Sequence, residues 1–136
     1  MSTKTAQDTI QRYFDAFNAG DILRMLDCLS DDVAHHVNEG NVRRGKDAFA
    51  NFCTHMSRCY REELTDMVIF ATPDGTRAAA EYIVIGTYLQ TDDGLPKAHG
   101  QTYRLPAGSF FSLRDGQITR VVTYYNLADW TAQVSG

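Results

Sequence analysis

Apolar residues recur at helical spacing through roughly the first sixty positions and at a spacing of two afterwards. Ala6, Ile10, Tyr13, Phe14 and Phe17 make one stripe of a helix over about residues 3–18. Gly20 supplies a left-handed stop and Asp21 the next N-cap. Ile22, Met25, Leu26 and Leu29 form a second stripe, which Asp31-Asp32 is expected to end. Val33, His35 and Val37 then alternate with Ala34, His36 and Asn38, predicting a short strand before the loop Asn38-Glu39-Gly40-Asn41. A third helix opens at Arg43-Arg44-Gly45-Lys46-Asp47, starting near Gly45. Its buried face is Phe49, Phe52, Cys53, Met56 and Cys59 or Tyr60.

From Glu63 onward the pattern predicts strands over about 64–72, 77–90, 102–113 and 117–126. Pro73-Asp74-Gly75 and Arg114-Asp115-Gly116 read as tight turns, and Asp92-Asp93-Gly94 opens a longer loop to about Gly100. Pro106 and Gly108 lie inside a strand and predict a bulge or bend there. Leu127 to Val134 reads as a short helical tail packing Trp130. Strands joined by short turns pair antiparallel. The expected architecture is therefore α+β: three N-terminal helices packed on a curved antiparallel sheet that encloses a pocket, in one domain over residues 1–136.

Composition narrows the function classes. The 136 residues carry a net charge of −4, and the longest basic run is Arg43-Arg44, which argues against nucleic-acid and membrane-surface partners. No apolar run approaches the roughly 20 residues of a membrane span, and Met1 to Asp8 is polar, so a cytoplasmic protein is expected. Cys28, Cys53 and Cys59 contain no Cys-x-x-Cys and are read as buried thiols. His55 and His99 fall on a helix and a loop without ligand spacing, so no metal is expected. The lack of a glycine-rich phosphate loop leaves no organic cofactor implied.

Two blocks carry a resemblance. Gln11-Arg12-Tyr13 through Asn18-Ala19-Gly20-Asp21, and Asp115-Gly116-Gln117-Ile118 through Tyr124-Tyr125-Asn126, resemble the nuclear transport factor 2-like superfamily. They look most like its ketosteroid isomerase and SnoaL-type polyketide cyclase branches. The whole chain is similar to a bacterial ketosteroid isomerase-related group. The resemblance implies a cystatin-like cone. It also implies that Tyr13 stands where ketosteroid isomerase has the tyrosine that donates to the dienolate oxygen. That enzyme's protonated aspartate, a worked case of pKa tuning, falls near Ser109 here. Its base falls at Val37, or at His36 or Asn38 in a slipped register. The final-strand aspartic acid of SnoaL-type cyclases falls nearest Thr123. Neither carboxylate mechanism is carried over residue by residue.

The residues themselves suggest a site. Tyr13 is a candidate oxyanion donor, because a phenol in an apolar pocket bonds strongly to a developing enolate. His35 and His36 point to opposite faces of a strand; alternation with Val33 and Val37 favours His35 as the pocket base, with His36 or Asn38 as neighbours. The ligand-binding wall is expected from Phe17, Phe52 and Met56 on helices. Tyr82, Val84, Ser109 and Phe111 would supply the strands' share, joined by Val121, Thr123 and Tyr125 on the face of the last strand that the resemblance implies is inward. Such a wall suits a neutral or weakly polar organic ligand, and together with the resemblance it implies a small hydrophobic, carbonyl-containing metabolite that is isomerised, cyclised or dehydrated by proton transfer. The other reading is a non-catalytic binding or dimerisation module. On the convex face Val122, Tyr124, Ile83 and Ile85 would form a homodimer surface, and Glu81 would pair with Arg104 or Arg120.

Overall fold

A computed structural model describes residues 2–135. Ten elements follow one another: α1 (Thr3–Ala19), α2 (Ile22–Asp27), β1 (Leu29–Val37), β2 (Arg43–Arg44), α3 (Lys46–Cys59), β3 (Tyr60–Ala71), β4 (Arg77–Tyr88), β5 (Thr102–Arg114), β6 (Gln117–Tyr125) and α4 (Leu127–Val134). The strands make one open sheet in the order β2-β1-β6-β5-β4-β3, with the helices packed on its inner face.

Local chemistry sets the helix ends. The Thr5 N–H donates to Ser2 Oγ (3.1 Å) to open α1. Gly20, at φ 70°, closes it, sending its own N–H to Phe17 O and the Asp21 N–H to Ala16 O. The Asp21 carboxylate then accepts from Arg24 N–H (3.1 Å) to open α2. That helix stops at Asp27, earlier than its apolar stripe implies. Leu29 already belongs to β1, and Asp31 and Asp32 lie within the strand instead of ending the helix. Arg43-Arg44 likewise pairs with β1 as the short strand β2, and α3 begins only at Lys46.

The sheet is mixed, not wholly antiparallel. The meander β3–β4–β5–β6 is antiparallel throughout, but β1 runs parallel to β6, with His35 opposite Val121 and Val37 opposite Thr123. The reason is connectivity. Between β1 and the meander the chain passes through β2 and α3, so no tight turn ties the direction of β1 to its neighbour. The expected bulge at Pro106 and Gly108 is also absent: β4 and β5 stay in register from Thr87↔Thr102 to Arg77↔Ser112. Pro106 lies beyond the last β5–β6 pair, Ala107↔Tyr125, where its missing donor leaves no ladder bond unmade. The irregularities sit elsewhere. One falls between Thr65 and Val68, where Asp66 takes φ 55°, and another between Ser112 and Leu113.

The core is shared between α1 and the inner sheet face. Ile10, Tyr13 and Phe14 pack against Phe111, with ring centroids 5.9 Å (Tyr13) and 5.8 Å (Phe14) away. At the opposite end α4 seats Trp130 edge-on against Tyr88 (5.0 Å) and Tyr103 (6.0 Å). There Gln133 acts as a surrogate strand. Its Oε1 accepts from Arg104 N–H and its Nε2 donates to Arg104 O, both at 2.9 Å. Among the described residues no helix is long and apolar enough to cross a membrane.

Candidate functional site

Curvature of the sheet around α1 and α3 leaves a concavity of about 1720 Å³. It includes an inner cavity between α1, α3, β1 and the concave sheet face. It also runs over the rim onto the outer face beside Glu81, Phe110 and Tyr124. Of the residues singled out from sequence, Tyr13, Phe17, His35, Asn38, Phe52, Met56, Tyr82, Val84, Ser109, Thr123 and Tyr125 all line this space. Three do not. His36 pairs with Val122 on the other face of β1. Phe111 and Val121, paired with each other, are sealed beneath the α1 aromatics in the core.

Tyr13 occupies the α1 side. It is buried against Phe14, Phe111 and Phe49, and burial raises its pKa well above the ordinary phenol value. Among the described residues its hydroxyl has no hydrogen-bond partner. The hydroxyls of Tyr60, Tyr82, Tyr88 and Tyr103 each have one. Phe49 also connects Tyr13 to His35, whose ring lies 4.9 Å from it, with Phe52 at 4.8 Å on the other side. Only 4 % of His35 is exposed. Burial, then the neighbouring Arg43 charge, pulls its pKa down to about 4, so the imidazole is neutral at physiological pH. Its Nδ1 is buried without a partner. Asn38 holds the end of β1 in place: at φ 49°, it accepts from Tyr125 N–H through Oδ1 (2.9 Å) and donates its own N–H to Thr123 O (2.8 Å).

The middle of the cavity carries a chain of hydroxyls. Tyr82 Oη and Ser109 Oγ are 2.7 Å apart, and Ser109 Oγ and Thr123 Oγ1 are 2.8 Å apart. Three strands thus meet through neutral groups at the two positions where the resembled enzymes have carboxylic acids.

Sequence reading passed over two inner-face residues. Glu62 was missed because the period-two signal starts after it; β3 in fact begins at Tyr60. Its Oε2 accepts from the Tyr103 hydroxyl at 2.5 Å, and burial raises its pKa despite that bond. The bond depends on Gly86, which stands between them in the row Glu62↔Gly86↔Tyr103. A Cβ on Gly86 would lie 2.2 Å from Tyr103 Cζ. Arg43 was missed because it reads as a helix opening. It faces inward beside His35, with its Cζ 4.3 Å over the Phe52 ring.

Cys53 also lines the cavity, and burial pushes its thiol up to about 11, which keeps it protonated. His55, Cys59 and Asp92 form a metal-type donor set that sequence spacing did not reveal, their ligand atoms within 4.8 Å of one another. His55 Nε2 is 2.8 Å from Asp92 Oδ1, a hydrogen-bond separation, and 3.9 Å from Cys59 Sγ. Asp92 Oδ2 accepts from the Tyr60 hydroxyl (2.7 Å), so both carboxylate oxygens are already engaged. Burial raises the Asp92 pKa, but the bonds from Tyr60 and His55 outweigh it and hold the carboxyl below its ordinary value. On the outer face Glu81 is exposed and, among the described residues, makes no ion pair, contrary to the cross-strand bridge expected for it. Val122, expected on the apolar outer patch, is 2 % exposed and covered within the chain.

A helix-bounded cone with a cavity of this build is the SnoaL-like arrangement. Residues 10–121 match the SnoaL-like domain family, and the chain belongs to it. Among solved structures it is similar to a candidate polyketide cyclase from Silicibacter sp. They share 72% identity and a TM-score of 0.96 over 100% of this chain and 99% of that one. A candidate polyketide cyclase from Xanthomonas campestris is 52% identical, with a TM-score of 0.95 over 98% and 99% of the two chains. A phenazine biosynthesis-related protein from Pseudomonas aeruginosa, 23% identical with a TM-score of 0.81 over 97% and 86%, shares the fold. No curated protein matches the chain.

Proposed function

We propose that the inner cavity binds a small, largely apolar metabolite bearing a carbonyl and isomerises, cyclises or dehydrates it by proton transfer without an organic cofactor. One observation carries this reading. The Tyr13 ring is buried in the wall of an apolar cavity, and its hydroxyl makes no hydrogen bond among the described residues, whereas four other tyrosines are hydrogen-bonded. A phenol in that setting is pre-organised to donate to an oxygen on which charge develops. His35 moves the proton. Its imidazole is neutral at physiological pH and stands across Phe49 from Tyr13. Asn38 positions the strand end that carries the site. The candidate polyketide cyclases it resembles support cyclisation as one of the three outcomes. Three free cysteines support a cytoplasmic location.

The test begins with a thermal-shift screen of carbonyl compounds, since a ligand that binds only the folded state raises Tm by mass action. The best hit is then titrated into Tyr13→Phe, where binding should weaken about tenfold. Unchanged affinity would remove Tyr13 from the site.

A second reading is favoured by the outer face. Phe70 is 57 % exposed and Phe110 and Tyr124 nearly half exposed, with Val68 and Ile85 close by on the same face. A patch of that kind marks an interface. The chain then forms a homodimer through this face, with or without chemistry in the cavity. Light scattering at micromolar concentration should give twice the chain mass; a monomer would eliminate the interface.

A further inference from the structure

At the β1/β2 end of the cavity, two polar groups lie buried with nothing to bond. Among the described residues Arg43 Nη1 and His35 Nδ1 have no hydrogen-bond partner, and their residues face each other in the β1–β2 register. Buried polar atoms in folded proteins are almost always paired, so two orphans at one place call for a missing partner. The two do not serve each other, because no hydrogen bond joins them. Nor does a carboxylate among the described residues pair with Arg43. The ion pairs among the described residues are Lys46–Asp31, His55–Asp92 and Arg114–Asp32. A guanidinium cannot relieve burial by losing its proton. Arg43 as a whole is only half-buried, but its covered Nη1 costs free energy until an acceptor meets it. Phe52 stacks on the guanidinium plane and fixes its orientation, leaving the edge with the N–H donors for a planar acceptor.

We propose that the cavity's ligand is an organic acid, its carboxylate docked on Arg43 with His35 Nδ1 beside it and its apolar body along Phe52 and Met56. This rests on the reading that the cavity holds a ligand and adds the chemical class of that ligand. A carboxylate fits better than a neutral carbonyl at this end because it supplies both the compensating charge and two coplanar acceptors for the fork. Tyr13, on the far side of Phe49, then meets a second oxygen of the same molecule. Both orphan atoms are covered by the chain itself. The half-buried Met56, which also lines the cavity, is the side chain that shifts to admit the acid, while Phe52 stays against the guanidinium.

The experiment titrates phenylacetate, naphthylacetate and decanoate, each against its primary amide, into the wild type, Arg43→Met and Arg43→Lys. Calorimetry gives the affinities, and circular dichroism confirms the fold. The wild type should bind at least one acid about tenfold more tightly than its amide. Arg43→Met should abolish that preference by weakening the acid far more than the amide, and Arg43→Lys should keep part of it. Equal binding of acid and amide to the wild type, or a preference that survives in Arg43→Met, would overturn the assignment of Arg43 and leave the cavity reading standing. Absence of binding by every acid and every amide would overturn both. If Arg43→Met does not fold, the wild-type comparison and Arg43→Lys decide.

Discussion

The two ends of the inner face are built in opposite ways. At the β3/β5/α4 end three tyrosine hydroxyls are answered: Tyr103 donates to Glu62, Tyr60 to Asp92 and Tyr88 to Pro96 O, while Asp92 N–H donates to Tyr88 Oη. At the β1/β2/α1 end His35 Nδ1 and Arg43 Nη1 are buried without a partner among the described residues, and the Tyr13 hydroxyl makes no hydrogen bond there either. Bonded groups hold a wall in shape. Unbonded groups beside an apolar space are available to something that enters it. The contrast explains how one cavity can contain a carboxylate, Glu62, that braces the fold, and a histidine and an arginine whose buried nitrogens have no partner among the described residues.

The largest expected effect attacks the bonded end. Gly86→Ala drives a methyl group into the Tyr103 ring and pulls its hydroxyl from Glu62. Overpacking and a broken buried bond together should cost about 3 kcal/mol in urea denaturation. A loss under about 1 kcal/mol would show that Tyr103 is not anchored as described.

The next concerns the unbonded end and pH. His35 binds a proton near pH 6.5 when unfolded but only near pH 4 when folded. Between those values the unfolded state holds more protons, so stability rises with pH there and is lost as pH falls from 6.5 towards 4. The full difference is about 3 kcal/mol. Comparing wild type with His35→Gln isolates it from the carboxylates, whose losses come at lower pH. Parallel stability curves for the two proteins from pH 7 to about 4 would mean that His35 is not buried in its neutral form.

The smallest effect sharpens the comparison most. Tyr103→Phe and Tyr13→Phe each remove one hydroxyl from a buried ring. The first leaves Glu62 without its donor and should cost roughly 1–3 kcal/mol; the second breaks no bond within the protein and should change stability by under about 1 kcal/mol. Equal costs would erase the distinction between the two ends.

Sequence periodicity went a long way towards the cavity. The α1 stripe placed Tyr13 and Phe17, and strand alternation favoured His35 over His36, set Tyr82 with Val84 on one face and Thr123 with Tyr125 on another; that Ser109, Thr123 and Tyr125 face inward came from the resemblance. It failed where an element boundary was misjudged. Glu62 lay before the expected start of its strand, and Arg43 inside an expected helix opening, so neither was assigned a face. Phe111 and Val121 have the correct parity but lie too deep, because alternation gives direction and not depth.

What the sequence determined by itself is everything that depends on neighbours a few residues apart. That includes the helix stripes, the caps at Gly20 and Asp21, the turns at Gly75 and Gly116, and the two faces of each strand. Tertiary structure alone decided what depends on which strands lie side by side. It set β1 parallel to β6, aligned Glu62, Gly86 and Tyr103 in one row, and brought Arg43 beside His35. It also left those two groups, with Tyr13, unpaired. Whether a polar atom finds a partner is settled by distant segments meeting in space, and no local pattern records that meeting.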